Sequence, residues 1–290
     1  MDKVLILGAS GLLGHHLAPW LRGVGYEVIC AGRNPADDCI LDVLDRPAMT
    51  ALLQRIAPRF VINLIGATNV DQCEIDINYA YNANVAVAAN LAATVAACPK
   101  LAVQLVHVST DQVYDGPGLH VEECIAPLNV YALSKYAGEL ALRGSPVSIL
   151  RTNFFGKSRA PSRSSFTDWL VRALQGEAEF TVFSDVMFNA VHMDTLCDVI
   201  HRVMVQRVVG IFNVGSRGVI SKAEFSLRLA AALQLPSGHA CPGLSGDVLL
   251  KAKRPRNMGM DVGRLESALA FQCPSIDDEI ARAAKEYSHV

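Results

Sequence analysis

Residues 130–139 carry a tyrosine and a lysine that are four positions apart, Tyr131 and Lys135. Residues with this spacing lie one turn apart on the same face of an α-helix. A lysine ammonium beside a phenol favours the phenolate and lowers a pKa that is ordinarily about 10. Such a phenol can donate a proton to a carbonyl oxygen, or accept one in the reverse reaction. Because the motif is short, it indicates this chemistry only together with a cofactor site and a second hydroxyl donor.

A glycine-rich segment near the N-terminus predicts the cofactor site. The apolar run Val4–Leu7 is typical of a buried parallel strand, and an apolar helix follows the glycines. Gly8 permits a tight turn, Gly11 lets a pyrophosphate approach the backbone, and Gly14 lets helix and strand pack closely. Free N–H groups at the helix N-terminus would bind the phosphates. The predicted cofactor contacts of this segment are Gly8, Ser10, Gly11, Leu12, Leu13 and Gly14.

The residues after the second predicted strand bear on the choice of cofactor. An acidic residue there would bind the ribose 2′-hydroxyl of NAD(H), whereas Arg33 can pair with the 2′-phosphate of NADP(H). The sequence therefore favours NADP(H), with NAD(H) possible, while a solvated loop position for Arg33 stays open. Asp42, in a short third strand, could hydrogen-bond the adenine amino group. The further predicted cofactor contacts are Val43, Leu64, Gly66, Ala67, Tyr131 and Lys135.

The second hydroxyl donor is predicted at the end of the fifth strand. This strand, at about 101–108, runs into the segment Ser109–Gly116. Ligands of open α/β sheets bind beyond the carboxyl ends of the strands, where Thr110 would stand. Thr110 can donate to the same carbonyl oxygen as Tyr131. We therefore predict that Thr110, Tyr131 and Lys135 are the catalytic residues.

The order of the predicted elements sets the fold class. Strands and helices alternate up to a sixth strand ending at Thr152, which predicts an α/β fold with a Rossmann-type doubly wound parallel sheet. Residues 1–152 would form the dinucleotide-binding domain, and residues 186–215 would return to its sheet. Residues 153–290 would mainly form a smaller C-terminal α/β region that binds the substrate. Within it, the polar segment 157–165 is either a solvated loop or a lid over anionic phosphates.

Composition excludes several classes of protein. The 290 residues allow one large or two coupled domains, and 51% hydrophobic residues with a net charge of −2 describe a soluble protein. The chain has no excess of basic residues that would indicate binding to nucleic acid. No apolar segment is long enough to span a membrane. The eight cysteines lack a Cys-x-x-Cys pair and indicate free thiols in the cytoplasm. His239 and Cys241 alone do not form a metal site, so no metal is predicted.

These motifs together resemble the extended short-chain dehydrogenase/reductase superfamily and, within it, the dTDP-4-dehydrorhamnose reductase family. The resemblance spans nearly the whole chain and rests on Gly8–Gly14, Ser109–Gly116, Tyr131–Glu139 and Arg254–Asn257. It implies an NADPH-dependent reductase that reduces C4 of a nucleotide-linked 4-keto-6-deoxysugar. By the same resemblance, Tyr131 would protonate the oxygen, while Lys135 would hold the nicotinamide ribose and lower the phenol pKa. A homodimer is possible.

The sequence departs from this family at positions that would touch the sugar. The family commonly has tyrosine where this chain has Gln112, and tryptophan where it has Phe154, which follows Asn153. Arg254 or Arg256 could clamp the diphosphate. The predicted substrate contacts are Val70, Asp71, Gln112, Asn153, Phe154, Arg254 and Arg256.

Two alternative functions stay open at this point. An epimerase or dehydratase would use the same scaffold with a tightly held NAD, which Arg33 disfavours. A non-catalytic dinucleotide-binding subunit, similar to the regulatory subunit of methionine adenosyltransferase, would share the Arg-Pro-Arg-Asn segment at Arg254–Asn257.

Overall fold

The structure is a computed structural model that describes residues 1–161 and 163–288. Ser162, inside the predicted polar segment, and residues 289–290, at the end of the predicted C-terminal region, lie outside the described part. The strands are β1 (Lys3–Leu7), β2 (Glu27–Gly32), β3 (Cys39–Ile40), β4 (Phe60–Asn63), β5 (Gln104–Thr110), β6 (Val147–Thr152), β7 (Phe154–Phe155), β8 (Phe180–Phe183), β9 (Met187–Phe188), β10 (Val191–His192), β11 (Gly210–Val214), β12 (Ile220–Ser221) and β13 (Ala240–Gly243).

Helices connect most of these strands. The α-helices are α1 (Leu12–Gly23), α2 (Arg46–Ile56), α3 (Val70–Ile75), α4 (Ile77–Tyr81), α5 (Val87–Ala97), α6 (Val130–Ala141), α7 (Phe166–Gln175), α8 (Met193–Gln206), α9 (Lys222–Leu233), α10 (Gly263–Leu269) and α11 (Ile276–Tyr287). None of the helices in residues 1–161 and 163–288 has the length and apolar character needed to cross a membrane.

Seven parallel strands form the central sheet, in the order β3-β2-β1-β4-β5-β6-β11. The predicted α/β Rossmann-type class is therefore confirmed. The strand order reverses between β1 and β4, and open α/β sheets bind ligands at such a switch point. The last strand, β11, pairs with β6 in parallel, so the chain returns to the sheet after a long excursion.

Apolar helix faces cover both sides of this sheet. On one side, Leu17 of α1, Ile200 of α8 and Leu265 of α10 belong to one buried cluster. On the other side, Leu53 of α2 and Leu91 of α5 belong to a second. Sheets covered on both faces need strands that are apolar throughout, as the fully buried run Val4–Leu7 shows.

The Ala-rich segment 78–98 is not one continuous α-helix, because a π-helical turn interrupts it. The turn, Asn82–Ala86, separates α4 from α5. It faces α6 at very short range, because a Cβ added at Gly138 would lie 2.1 Å from the Asn84 carbonyl oxygen. The extra residue of a π-turn redirects side chains, and here the Asn84 side chain reaches the loop after β4. A periodic sequence pattern does not reveal such a turn.

The C-terminal region packs around its own apolar cluster. Phe188, Phe225 and Ile280 are buried there, and the short strand pairs β8–β13 and β9–β12 border them. The side chain of His192 caps α8 by accepting a hydrogen bond from the Asp194 N–H. The region lies beyond β6, next to the carboxyl ends of the central strands.

Candidate active site

The three predicted catalytic side chains meet in one cavity of about 490 Å³. Thr110 is the last residue of β5, while Tyr131 and Lys135 lie on the first two turns of α6. Asn129 caps this helix, because its side chain accepts a hydrogen bond of 2.8 Å from the Ala132 N–H. The cap and the sheet thus place two hydroxyl groups and one ammonium group at the switch point.

The pKa of Tyr131 is shifted in the direction opposite to the predicted one. Burial raises it to about 12, and the Thr110 hydroxyl opposes this only in part. The Lys135 ammonium donates a hydrogen bond of 2.7 Å to the Val108 carbonyl oxygen. Burial also lowers the pKa of Lys135 to about 8, although the Glu139 carboxylate raises it. Tyr131 is therefore fully protonated near neutral pH, as a proton donor must be.

A buried ion pair anchors the catalytic helix. Glu139, one turn after Lys135, binds Arg151 of β6, with Nη2 and Oε2 2.5 Å apart. Glu139 also accepts a hydrogen bond of 2.5 Å from the Ser109 hydroxyl. Arg151 in turn donates to the Tyr114 hydroxyl at 2.7 Å. These contacts fix α6 against β5 and β6, and with it the position of Tyr131.

The glycine loop has the geometry that a dinucleotide requires. Gly8 adopts a left-handed φ of 82°, and a Cβ added at Gly14 would lie 2.3 Å from the Ala9 carbonyl oxygen. No side chain caps the N-terminus of α1, so its first N–H groups remain available to a phosphate. Of the predicted contacts, the following line the 490 Å³ cavity: Gly8, Gly11, Leu12, Leu13, Gly14, Leu64, Gly66, Tyr131 and Lys135.

A second cavity of about 450 Å³ adjoins the first. Both cavities share Gly8, Gly11, Leu64 and Gly66, so together they follow the loop from Tyr131 to the end of β2. The predicted contacts Ser10, Arg33, Asp42 and Val43 line the second cavity. An elongated site with an anion-binding helix terminus near its middle suits a dinucleotide.

Asp37 is an acidic residue in the second cavity that the sequence prediction missed. Its carboxylate lies close to Gly32, because a Cβ added there would be 2.9 Å from Oδ2. Burial raises the pKa of Asp37. Arg33, on the same wall, offers a positive charge to a 2′-phosphate, whereas Asp37 offers an acceptor to a 2′-hydroxyl. Asp37 follows Arg33 by four positions, and the turn after β2 brings its carboxylate back to Gly32.

Three predicted substrate contacts line the first cavity, namely Gln112, Asn153 and Phe154. Arg163 of the polar segment lines both cavities, as expected of a segment that covers anionic phosphates.

Five predicted site residues lie outside both cavities: Ala67, Val70, Asp71, Arg254 and Arg256. Ala67 and Val70 pack in the small cluster behind Tyr131. Arg254 and Asp71 bind each other, with Nη2 and Oδ2 2.9 Å apart, and this ion pair lowers the pKa of Asp71. The contact of Arg254 with a diphosphate stays a prediction, and in this structure the guanidinium of Arg254 is paired with Asp71. The Arg256 side chain is 74% exposed, and its Nε lies 3.8 Å from Asp185.

Two charged residues near the catalytic trio were also missed. Asp111, directly after Thr110, is buried and lines the cavity. Lys222, at the start of α9, contacts the rings of Phe166 and Phe188. Asp111 belongs to the Ser-Thr-Asp segment that drew attention to Thr110, so the sequence contained a signal for it. Lys222 is more than a hundred residues away, and no local pattern indicates its position.

A separate polar group joins α8 to α11, away from the two cavities. His192, Asp194 and Glu286 are close enough together to hold a metal ion. They already bind one another, because His192 Nε2 is 3.0 Å from the Glu286 carboxylate and His192 Nδ1 accepts the Asp194 N–H. Among the cysteines, all eight of which are described, every thiol is free.

Comparison with known proteins identifies the family. The model of the RmlD substrate binding domain matches residues 2–289. The chain belongs to the RmlD substrate-binding domain family. A curated RmlD-type relative, dTDP-4-dehydrorhamnose reductase of Aggregatibacter actinomycetemcomitans, is 30% identical, with 94% of this chain and 95% of the relative covered.

Two further similarities to known proteins bear on function. Methionine adenosyltransferase 2 subunit beta of Danio rerio is 28% identical, with 91% of this chain and 84% of the relative covered. The crystal structure of dTDP-4-dehydrorhamnose reductase from Bacillus anthracis, solved in complex with NADP, superimposes with a TM-score of 0.89 at 25% identity. The superposition covers 98% of this chain and 99% of the Bacillus anthracis chain. The chain is thus similar both to proteins named as dTDP-4-dehydrorhamnose reductases and to a protein named as a subunit of another enzyme.

Proposed function

We propose that this protein is an NADP(H)-dependent reductase of a nucleotide-linked 4-keto-6-deoxysugar. The observation that carries the proposal is the meeting of Thr110, Tyr131 and Lys135 in one cavity that continues along the glycine loop. The relatives named as dTDP-4-dehydrorhamnose reductases, one of them solved with NADP, support both the reaction and the cofactor.

The residues of this chain supply binding and proton transfer. NADPH, when bound, supplies the hydride. The uncapped N-terminus of α1 holds its phosphates, Arg33 its 2′-phosphate, and Lys135 the nicotinamide ribose. The Lys135 ammonium donates one N–H to the Val108 carbonyl oxygen, and its other two N–H groups can donate to the cofactor.

Proton transfer falls to the buried phenol. Tyr131 donates its proton to the ketone oxygen as negative charge develops there. Thr110 donates a second hydrogen bond to the same oxygen. Because burial disfavours phenolate, the phenol enters the reaction protonated.

The substitution Tyr131→Phe tests this function. It removes the proton donor and keeps the ring, so NADPH oxidation with dTDP-4-keto-6-deoxysugar should slow by about 10² or more. NADPH binding, measured by fluorescence titration, should stay near the wild-type value. The matched control is Tyr136→Phe on the same helix. The Tyr136 ring contacts Arg151 outside both cavities, so this variant should retain its activity. Equal activity in wild type and Tyr131→Phe would refute the role of the phenol.

A non-catalytic dinucleotide-binding subunit is the second candidate. The similarity to methionine adenosyltransferase 2 subunit beta favours it. The same experiment separates the two functions if it is run over a panel of nucleotide-linked ketosugars. Tight NADPH binding without turnover of any ketosugar supports the subunit, whereas turnover that Tyr131→Phe abolishes supports the reductase.

A further inference from the structure

A third cavity, of about 660 Å³, lies in the C-terminal region. Its walls come from the segment after β7, from α7, from the end of α9 and from the end of α11. A volume of this size is typical of a pocket that binds a small ligand. Because four separate segments form the walls, no local sequence motif indicates this cavity.

Three positively charged side chains line the third cavity, namely those of Lys157, Arg163 and Arg172. The Lys157 ammonium donates to the Glu286 carbonyl oxygen at 3.2 Å, and Arg172 Nη2 donates to the Ser164 hydroxyl at 2.6 Å. Both acceptors are neutral, and none of the three cations forms an ion pair within the described part of the chain. An ammonium group has three N–H donors and a guanidinium has five, so most of these donors can bind a ligand.

Among the described residues that line this cavity, Asp168 supplies the one carboxylate. Its oxygens accept hydrogen bonds from the Ser158 and Ser165 N–H groups and from the Tyr287 hydroxyl. Burial raises the pKa of Asp168, but these hydrogen bonds outweigh burial and hold the pKa below its usual value. Three cations face one carboxylate whose hydrogen bonds are already made, so the cavity has an excess of positive charge.

Apolar side chains complete the lining of the third cavity. They are Val171 of α7 and, at the end of α9, Leu233 and Leu235. Two carbonyl oxygens in the last turn of α9 accept hydrogen bonds from the Gln234 and Leu235 N–H groups, so this helix end exposes little negative charge. The ligand that fits such a cavity has an anionic group and an apolar body.

We propose that the third cavity is a second ligand site, which binds an organic phosphate. A phosphate monoester carries a charge of about −1.5 to −2 at neutral pH, and its three oxygens accept hydrogen bonds from several donors at once. It therefore matches three cations better than a carboxylate does, because a carboxylate carries a single charge. This second site does not depend on the proposed reaction.

Arg163 couples the second site to the candidate active site. Its side chain lines the third cavity and also both cavities of the candidate active site. A guanidinium that binds a phosphate on one side is less able to bind a phosphate on the other. Each ligand should therefore weaken the binding of the other, and thermodynamic linkage makes this effect reciprocal.

The substitution Arg172→Met tests the second site. Arg172 is exposed and lines the third cavity but neither of the other two, so the variant should fold and keep its dinucleotide site. The probe is phenyl phosphate, titrated by calorimetry in saturating NADP⁺. Wild type should bind it about 10-fold more tightly than inorganic phosphate or benzoate, and Arg172→Met should lower its affinity about 10-fold or more. The matched control is Arg143→Met, at an exposed position after α6, which should bind the probe as wild type does.

The affinity for NADPH tests the coupling through Arg163. Saturating phenyl phosphate should weaken NADPH binding about 5-fold or more in wild type, and clearly less in Arg172→Met, where only direct competition at the dinucleotide site remains. An equal effect in the two proteins would overturn the coupling.

Three results would overturn the second site itself. They are equal affinity for phenyl phosphate in wild type and Arg172→Met, no binding of phenyl phosphate by wild type, and benzoate that binds as tightly as phenyl phosphate. None of them bears on the proposed reductase function, because Tyr131→Phe tests that function separately.

Discussion

At the scale of single residues, burial sets the chemistry of the candidate site. Tyr131 is 7% exposed, and the loss of solvation raises its pKa more than the neighbouring hydroxyl lowers it. The same desolvation acts on Lys135 in the opposite sense, because for an amine it is the protonated form that is charged. The phenol of Tyr131 therefore stays protonated, and Lys135 loses its proton more readily than an exposed lysine does. Burying an ionisable amine in this way lowers the stability of the fold.

The cost of the buried lysine should appear as a dependence of stability on pH. The pKa of Lys135 falls from 10.5 to about 8 on folding, so the unfolded chain binds more protons between these values. The contribution of Lys135 to the free energy of unfolding is lowest below pH 8 and rises towards pH 10.5. Lys135→Met should therefore raise the free energy of unfolding by about 1–3 kcal/mol at pH 7, and by less at pH 9.5.

Urea unfolding at the two pH values measures this effect. The matched control is Lys285→Met, at an exposed position of α11, which should change stability by less than about 0.5 kcal/mol. NADPH-dependent activity of Lys135→Met should be lost although the variant is more stable. A variant that is less stable than wild type at pH 7 would contradict the assignment.

At the scale of elements, the π-turn between α4 and α5 positions the loop after β4. Asn84 lies in this turn and accepts a hydrogen bond of 2.8 Å from the Ala67 N–H. Its Nδ2 donates to the Ser134 hydroxyl on α6, also at 2.8 Å. One side chain thus joins the loop after β4 to α6. The arrangement requires that α6 approach the turn at Gly138, where no side chain intervenes.

Gly138→Ala should disturb this contact. The added methyl would lie 2.1 Å from the backbone oxygen of Asn84, so the two elements must separate. We expect a loss of about 2 kcal/mol in the free energy of unfolding and a lower affinity for NADPH. The matched control is Gly23→Ala at the end of α1, where an added Cβ meets nothing within 4 Å. That variant should be neutral or stabilised by up to about 1 kcal/mol. Similar losses in both variants would rule out the close contact as the cause.

At the scale of the whole molecule, a buried polar network joins the sheet to the C-terminal region. Arg151 contacts Glu139 of α6, the Tyr114 hydroxyl and the Glu122 carbonyl oxygen. Tyr114 donates in turn to Asn213 of β11 at 2.7 Å. The Asn213 amide donates to the carbonyl oxygens of His120 and Asp261. Helix α6 is therefore coupled through this network to Asp261 in the C-terminal region.

Removing the centre of this network should destabilise the entire protein. Arg151→Met leaves the Glu139 carboxylate buried without its partner, which costs about 3–5 kcal/mol. Arg202→Met breaks an exposed ion pair with Asp198 within α8 and should cost less than about 1 kcal/mol. Chemical unfolding followed by circular dichroism measures both. The double variant Arg151→Met/Glu139→Gln should recover part of the loss, because it no longer buries an unpaired charge. Equal stability of Arg151→Met and Arg202→Met would refute the role of the network.

The sequence by itself determined the fold class and the core of the candidate site. Strand periodicity, the spacing from Gly8 to Gly14 and the spacing from Tyr131 to Lys135 are local, and local geometry converts them directly into strands, an anion-binding turn and a helix face. Thr110 followed from the rule that ligands bind at the carboxyl ends of parallel strands.

Only the tertiary structure decided the contacts between distant segments. It paired Arg254 with Asp71, placed Lys222 against the rings of Phe166 and Phe188, and inserted the π-turn opposite Gly138. It also reversed the expected pKa shift of Tyr131, because burial depends on every element that packs over the phenol. Ion pairs form and side chains become buried only when segments far apart in the chain pack together. No spacing along the sequence contains that information.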